Sequence, residues 1–279
     1  MSAPPTVPAA TTSLWQTGAL VARDDCDVAP AIVVAADSWL VEGGTARGLE
    51  LHRERFTASV PRSLARKLDV DSFWASAIAS IPREGTWFPR VELREQLGAP
   101  QLIFRLREAP ALQRSIVLAT HEGRDPRTSP TVKGPDLAAM TRLRTEAQAA
   151  GADEAVILSP DGHVVEGATT SIVWWAGGTL CVVDGALPRI PSTTERTIIA
   201  LATAMGIPVE RLRVRPDELD GHELWALNAL HGIRIVTAWR GGPSTAEEPG
   251  RLARWRTRLD ALRRPLPRAS DDETDGSPA

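Results

Sequence analysis

Positive charge in this 279-residue chain rests almost entirely on arginine: of its 32 Lys and Arg residues, only Lys67 and Lys133 are lysines. The difference is chemical, because a guanidinium stays protonated in proteins whereas a lysine amine can lose its proton and attack a carbonyl. Lys67 lies in Ser63-Leu-Ala-Arg-Lys-Leu, an amphipathic helical stretch whose charge falls on the polar face, which predicts a solvated surface residue. Lys133 lies in Ser129-Pro-Thr-Val-Lys-Gly-Pro-Asp-Leu, where a proline-containing segment opens into a helical pattern from about Asp136 to Ala150. Its surroundings alone fit a surface charge at a helix start as well as they fit a nucleophile. Glu166, just past a strand-like run, fits an exposed acid or a working carboxylate. Thr193 and Thr194 open another helical pattern, where unpaired N–H groups attract an anion, although threonine is also a common N-cap. Cys26 and Cys181 match no metal-ligand or redox spacing, so packing roles and no metal site are expected.

The elements that must position these groups follow from the hydrophobic pattern. With 43% hydrophobic residues the chain can bury one large core or two moderate ones. Residues 1–12 are rich in Ala, Pro and Thr and residues 266–279 in Asp, Glu, Ser and Pro, so disorder is expected at both ends. Over 13–120, short apolar runs (Ala31-Ile-Val-Val, Trp87 to Leu93, Leu102 to Leu106, Ser115 to Leu118) flank helical patterns at Leu51 to Lys67 and Val70 to Ile81, which predicts a small α+β domain. Residues 121–130, polar with Gly and Pro, fit a linker. Over 131–265, helical patterns to Ala150, from Thr194 to Met205 and from Glu248 to Arg263 alternate with strand patterns, which predicts a second α/β domain. The net charge of -3 gives no footprint for nucleic acid. No run approaches the roughly 20 apolar residues of a membrane span, and the start lacks a secretory pattern. A cytoplasmic protein with small-molecule partners is therefore expected.

Several short blocks then line up. Lys133-Gly-Pro-Asp-Leu, Gly151-Ala-Asp-Glu-Ala-Val-Ile-Leu, Asp161-Gly, Val165-Glu-Gly-Ala-Thr-Thr-Ser171 and Pro191-Ser-Thr-Thr194 resemble, in order and separation, the blocks of the class IV aminotransferases. That family, pyridoxal-phosphate fold type IV, includes branched-chain and D-amino-acid aminotransferases and 4-amino-4-deoxychorismate lyase. The likeness runs from about Lys133 to Val236, and more weakly back to Leu51-His-Arg-Glu-Arg-Phe56. It implies an α/β (α+β) fold of two domains with pyridoxal 5'-phosphate in the cleft between them, and a homodimer. Lys133 is the implied Schiff-base lysine and proton carrier, and Glu166 the carboxylate facing the pyridine nitrogen. Ala168, Thr169, Thr170, Thr193, Thr194, Asn228 and Ala229 are the implied cofactor neighbours. Arg55 matches the family's phosphate-binding arginine, with Arg47, Arg53 and Arg62 close alternatives. Arg107 falls where some relatives bind the substrate carboxylate, and Arg105 is an equal candidate. His231 and Arg234 fit substrate contacts or, equally, a strand end entering a turn at Gly232.

The chain also departs from the pattern. Ser192 replaces a glycine, Glu195 stands where many members have arginine, and Ala229 stands where many place a phosphate-binding threonine. The family's Gly-Asp-Gly block is reduced to Asp37-Ser38, and there is no tyrosine at all. Asn228-Ala-Leu resembles the lyase branch. Three functions follow: amino transfer between an amino acid and a 2-oxo acid, release of pyruvate and 4-aminobenzoate from aminodeoxychorismate, or a non-catalytic member acting by binding. The nine tryptophans are expected in cores and interfaces rather than in a substrate cage.

Overall fold

Alternation with period two organises the first of the two units into which the chain divides, residues 1–110 with 263–279. The computed structural model describes residues 10–23 and 31–268. The expected disorder of 1–9 and 269–279, and the packing role of Cys26, fall on residues outside that description. The first unit contains β1 (Ala10–Gln16), β2 (Ala19–Ala22), β3 (Ala31–Ser38), β4 (Val41–Glu42) and β5 (Thr45–Ala46). Helices α1 (Leu49–Ser59), α2 (Arg62–Ala65) and α3 (Val70–Ala79) follow, then β6 (Thr86–Trp87), β7 (Arg90–Gln96) and β8 (Ala99–Arg107). An antiparallel sheet runs in the order β2-β1-β8-β7-β3.

On β7 and β8, Val91, Leu93, Leu102, Phe104 and Leu106 enter the core, where they meet Phe56 of α1 and Phe73 and Trp74 of α3. Arg90, Glu92, Arg94, Arg105 and Arg107 occupy the alternate positions. The single helix expected from Leu51 to Lys67 is two helices. Proline at 61 forces Val60 into an extended conformation (ψ 122) and ends α1. Proline at 89 likewise divides the expected Trp87–Leu93 strand into β6 and β7. The expected disorder of 1–12 fails at Ala10, Thr11 and Thr12, which pair with Arg107, Leu106 and Arg105 of β8.

The second unit, residues 111–262, is built on a larger mixed sheet. Its elements are β9 (Ser115–Thr120), α4 (Leu137–Ala149), β10 (Glu154–Leu158), β11 (Val164–Gly167), β12 (Ser171–Ala176), β13 (Thr179–Val183) and α5 (Thr193–Ala204). They continue with β14 (Val209–Leu212), β15 (His222–Asn228), β16 (Gly232–Arg240), β17 (Thr245–Ala246) and α6 (Arg251–Asp260). The strand order is β11-β10-β9-β16-β15-β12-β13-β14, with β17 beside β15. Because β9 pairs in parallel with both β10 and β16, residues 111–120 belong here and 121–130 lie inside this unit rather than linking two domains. At the other end the chain leaves early: Arg264–Pro265 pairs with β5, and the buried Leu266 donates its N–H to Gly44 O at 2.9 Å. The expected tail 266–279 therefore begins too soon.

One side of this sheet buries Val156, Ile172, Trp174, Leu224 and Trp239. The other buries Val173, Trp175, Trp225, Leu227 and Ile235 with Ile198 of α5 and Trp255 of α6. Trp175, Trp225 and Trp255 meet edge-on at 5.3–5.7 Å between centroids. Eight of the nine tryptophans are buried, and Trp15 is half-buried. Cys181 is buried as a packing residue. Among the described residues no helix is long and apolar enough to cross a membrane. Trp225→Ala should cost about 3–5 kcal/mol in urea unfolding, the range for emptying a large aromatic site. A loss no greater than that of Trp15→Ala would show that the triple contact is dispensable.

Candidate active site

Lys133 sits in a loop closed by the carboxylate that precedes α4. Asp136 accepts hydrogen bonds from Thr128 N and Oγ1, both at 2.9 Å, and from Ser129 N at 2.8 Å. Inside the loop, Val132 N donates to Ser129 O at 3.0 Å and Leu137 N to Gly134 O at 3.2 Å. Gly134 has a φ of 144, which a side chain would resist, so the backbone beside Lys133 depends on glycine there. Lys133 is half-buried, whereas Lys67 is exposed as its helical pattern predicts.

Glu166, on β11, is only 5% exposed. Its Oε1 accepts a short contact from Arg127 Nη1 and a 3.1 Å bond from Ile190 N. Arg127, with a side chain only 1% exposed, is also gripped by both oxygens of Asp125 and donates to Pro188 O at 3.2 Å. Burial pushes the Glu166 carboxyl up to about 7, against the opposing pull of Arg127, the Ile190 N–H and Arg189. Arg189 in turn makes a two-pronged pair with Glu195 at 2.7 and 2.6 Å and donates to Val183 O at 3.0 Å. The anion that the sequence sets at the start of α5 is therefore neutralised. Neither arginine was evident from the sequence. Arg127 falls in the stretch that composition marks as a linker, and its one local signal is Asp125 two residues before it.

At the start of α5 the capping question resolves in favour of serine. Ser192 Oγ accepts from Glu195 N at 3.2 Å, so Thr193 and Thr194 are the first helical residues, buried at the positive end of the dipole. The turn after Glu166 is closed by Gly167 N donating to Thr170 O at 2.7 Å. Glu154 accepts Thr169 N at 3.2 Å and the Thr169 hydroxyl at short range, and Ala168 N donates to Ala155 O. A Cβ on Gly167 would lie 2.3 Å from Thr170 Oγ1, so a side chain there would force the Thr170 hydroxyl to move.

Asn228 Oδ1 accepts His231 N at 2.8 Å and closes the β15–β16 turn, with Ala229 half-buried inside it. His231 Nδ1 accepts Gln113 N at 3.1 Å, which leaves the ring proton on Nε2. Burial, then Arg234, Arg144 and Arg256, hold its pKa down at about 4, so any substrate contact it makes is that of a neutral ring. Arg234 is buried and lowered to about 10 by desolvation, opposed by Glu154.

Two of the expected site residues belong to the first unit. Arg55 on α1 donates from Nε and Nη2 to Asp37 at 2.8 and 2.7 Å, and His52 Nδ1 lies 2.8 Å from the same carboxylate. Burial alone would raise the Asp37 carboxyl, but Arg55 and then His52 outweigh it and hold Asp37 well below the usual range. Among the alternatives to Arg55, Arg53 pairs with Asp71 at the surface and Arg62 is exposed. Arg107 donates from Nε to Phe88 O at 2.9 Å, with its guanidinium 4.8 Å from the Phe88 ring centroid.

The family model for amino-transferase class IV matches residues 35–239, and the chain belongs to that family. Its structure is similar to the fold IV-transaminase of Curtobacterium pusillum, at 20% identity over 91% of this chain and 98% of that one, with a TM-score of 0.69. It is similar to the branched-chain aminotransferase of the archaeon Thermoproteus uzoniensis, at 17% identity over 92% and 100%, TM-score 0.75. A putative 4-amino-4-deoxychorismate lyase from Legionella pneumophila shares 16% identity over 84% and 92%, TM-score 0.72. At these identities the likeness shows the fold, the mixed α/β architecture of fold type IV. No curated protein matches this chain in sequence.

Burial pushes the Glu166 carboxyl from its ordinary value of 4.5 up to about 7 in the folded protein. Between those values the folded state keeps a proton that the unfolded state has released, so stability falls as pH rises through the window. Glu166→Gln should remove that slope. Urea unfolding of cofactor-free protein at about pH 5 and about pH 7.5 should show the variant gaining on the parent at the higher pH. An unchanged difference would mean that Glu166 is ionised throughout.

Proposed function

We propose that the protein is a pyridoxal-phosphate-dependent aminotransferase that moves an amino group between an amino acid and a 2-oxo acid, with Lys133 as the residue that carries the cofactor. The observation that carries the reading is that one short segment joins a buried carboxyl to a buried helix start, two features suited to opposite ends of such a cofactor. Ile190 N donates to the buried Glu166, and three residues later Thr193 and Thr194 begin α5. A buried carboxyl poised near 7 suits a pyridine nitrogen, and a buried helix N-terminus bearing two hydroxyls suits a phosphate. When bound, the cofactor supplies the electron sink that makes the amino acid's α-proton removable. The residues do the rest. With the cofactor bound, Glu166 would hold or share a proton at its ring nitrogen, and Arg127 fixes the Glu166 oxygen in place. Lys133, its backbone held by the Asp136 loop, offers a neutral amine that takes and returns the substrate proton.

The pairing of Glu195 with Arg189 and the capping role of Ser192 give two of the departures from the family pattern structural roles, which weighs against a non-catalytic reading. The lyase reading keeps the support of Asn228-Ala-Leu and of the Legionella neighbour.

Borohydride reduction followed by peptide mapping should place the pyridoxyl label on Lys133, and Lys133→Ala should lose the visible cofactor band while keeping its circular dichroism. A label on Lys67 would overturn the assignment.

The two enzyme readings separate on half-reactions. With an amino donor alone, the visible band should disappear stoichiometrically and return on adding a 2-oxo acid. Release of pyruvate with 4-aminobenzoate from aminodeoxychorismate, with no donor bleaching the band, would establish the lyase instead.

A further inference from the structure

Three polar groups border the apolar core that Val156, Ile172, Ala226 and Val236 share in the second unit. Glu154 stands two residues before Val156 on β10, and Thr170 two residues before Ile172, where the turn enters β12. Arg234 stands two residues before Val236 on β16 and directly across from Ala226 of β15. Strand alternation therefore turns all three side chains to the same side of the sheet. Glu154, Thr170 and Arg234 are 1%, 4% and 5% exposed.

Their hydrogen bonding is incomplete. Glu154 spends Oε2 on Thr169, accepting both its N–H and its hydroxyl, while its Oε1 makes no hydrogen bond. Thr170 Oγ1 and Arg234 Nε are likewise buried without a hydrogen bond among the described residues. Glu154 and Thr170 crowd the same glycine: a Cβ on Gly167 would meet Glu154 Cγ at 3.0 Å and Thr170 Oγ1 closer still. Burial pushes the Glu154 carboxyl up and the Arg234 guanidinium down to about 10, and the strongest opposing charge on each is the other. A carboxylate oxygen, a hydroxyl and a guanidinium N–H together offer what a buried water needs, which is about three hydrogen bonds to otherwise unpaired groups.

We propose that Arg234 is a positioning residue: through bound water it pairs with Glu154, and Glu154 in turn holds the turn 168–170 that directly follows Glu166. Arg234 then needs no substrate to satisfy it, although its sequence context fits a substrate contact as well. The pair stands on packing alone, and its bearing on catalysis rests on the function proposed above. A guanidinium that reached a substrate instead would act independently of Glu154.

A double-mutant cycle reads the pairing by urea unfolding of cofactor-free protein at neutral pH. Arg234→Met strands a buried carboxyl and should lower the urea midpoint. Adding Glu154→Gln, which keeps the shape and still accepts from Thr169, should return at least about half of that loss. Losses that simply add would overturn the pair. Thr170→Val tests the water, and does so even where Arg234→Met does not fold. Removing a hydroxyl that binds the water should lower the midpoint, whereas a raised midpoint would show an orphan hydroxyl and overturn the proposal. In the cofactor-loaded protein, Arg234→Met should weaken pyridoxal phosphate binding about fivefold or more and reduce the visible circular dichroism of the bound cofactor. Glu154→Gln added to it should restore both. Affinity and dichroism unchanged in Arg234→Met would overturn the positioning role. Coupling in the cycle, with a parent protein that binds no pyridoxal phosphate, leaves the pair standing and sinks the function proposed above. An additive cycle in a protein that carries the pyridoxyl label on Lys133 does the reverse.

Discussion

A carboxylate removed from water must find partners or keep its proton, and much of the second unit is arranged around that constraint at Glu166. Arg127 reaches it from a stretch without helix or strand, and that reach locks the segment: the guanidinium is shared with Asp125 and bound to Pro188 O. Ile190 N–H reaches it from the segment leading into α5. Arg189 adds its field from the side and is itself spent on Glu195. Three carboxylates and two guanidiniums form an alternating series from Asp125 to Glu195. Buried ion pairs contribute little to net stability when well made and cost several kcal/mol when broken, about 3–5 by common experience, so the series specifies positions more than it adds stability. It sets the start of α5, and with it Thr193 and Thr194.

The first unit poses the same problem twice on one sheet. Asp37 of β3 turns toward α1 and is matched by Arg55 and His52. Glu92 of β7, on the face away from the core, is outnumbered by arginines. The first carboxylate is matched group for group, and the second is shared among several guanidiniums. Strand alternation makes this possible, because a single residue step separates the apolar face from the charged face.

Glu154 and Gly167 show how closely packing governs the turn beside Glu166. The acid accepts from both the backbone and the hydroxyl of Thr169, and Gly167 leaves no room for a methyl group against Thr170. The Thr169 hydroxyl is thereby committed to a protein partner. Asn228 performs the same service at the β15–β16 turn, where its side chain holds the backbone of His231.

Local sequence settled what local physics controls. The rarity of lysine drew attention to Lys133, the family blocks carried the fold and marked Glu166, Thr193 and Thr194 as candidates, and hydrophobic period located α3, α4 and α5 and most of the larger strands. Even the break of α1 at Pro61 and the division at Pro89 follow from residues visible in the chain. What composition could not show is pairing over long separations. β1 lies against β8 some ninety residues away, β9 joins a sheet made of later strands, and Leu266 returns to Gly44. Charges that looked interchangeable in sequence diverged for the same reason: Arg55 turned inward to Asp37 while Arg53 stayed at the surface with Asp71, and Arg127 became the partner of Glu166 from within an expected linker. A side chain's residue type fixes what it can bond, but its depth and its neighbours decide its charge and its partner, and those arise only when distant segments pack together.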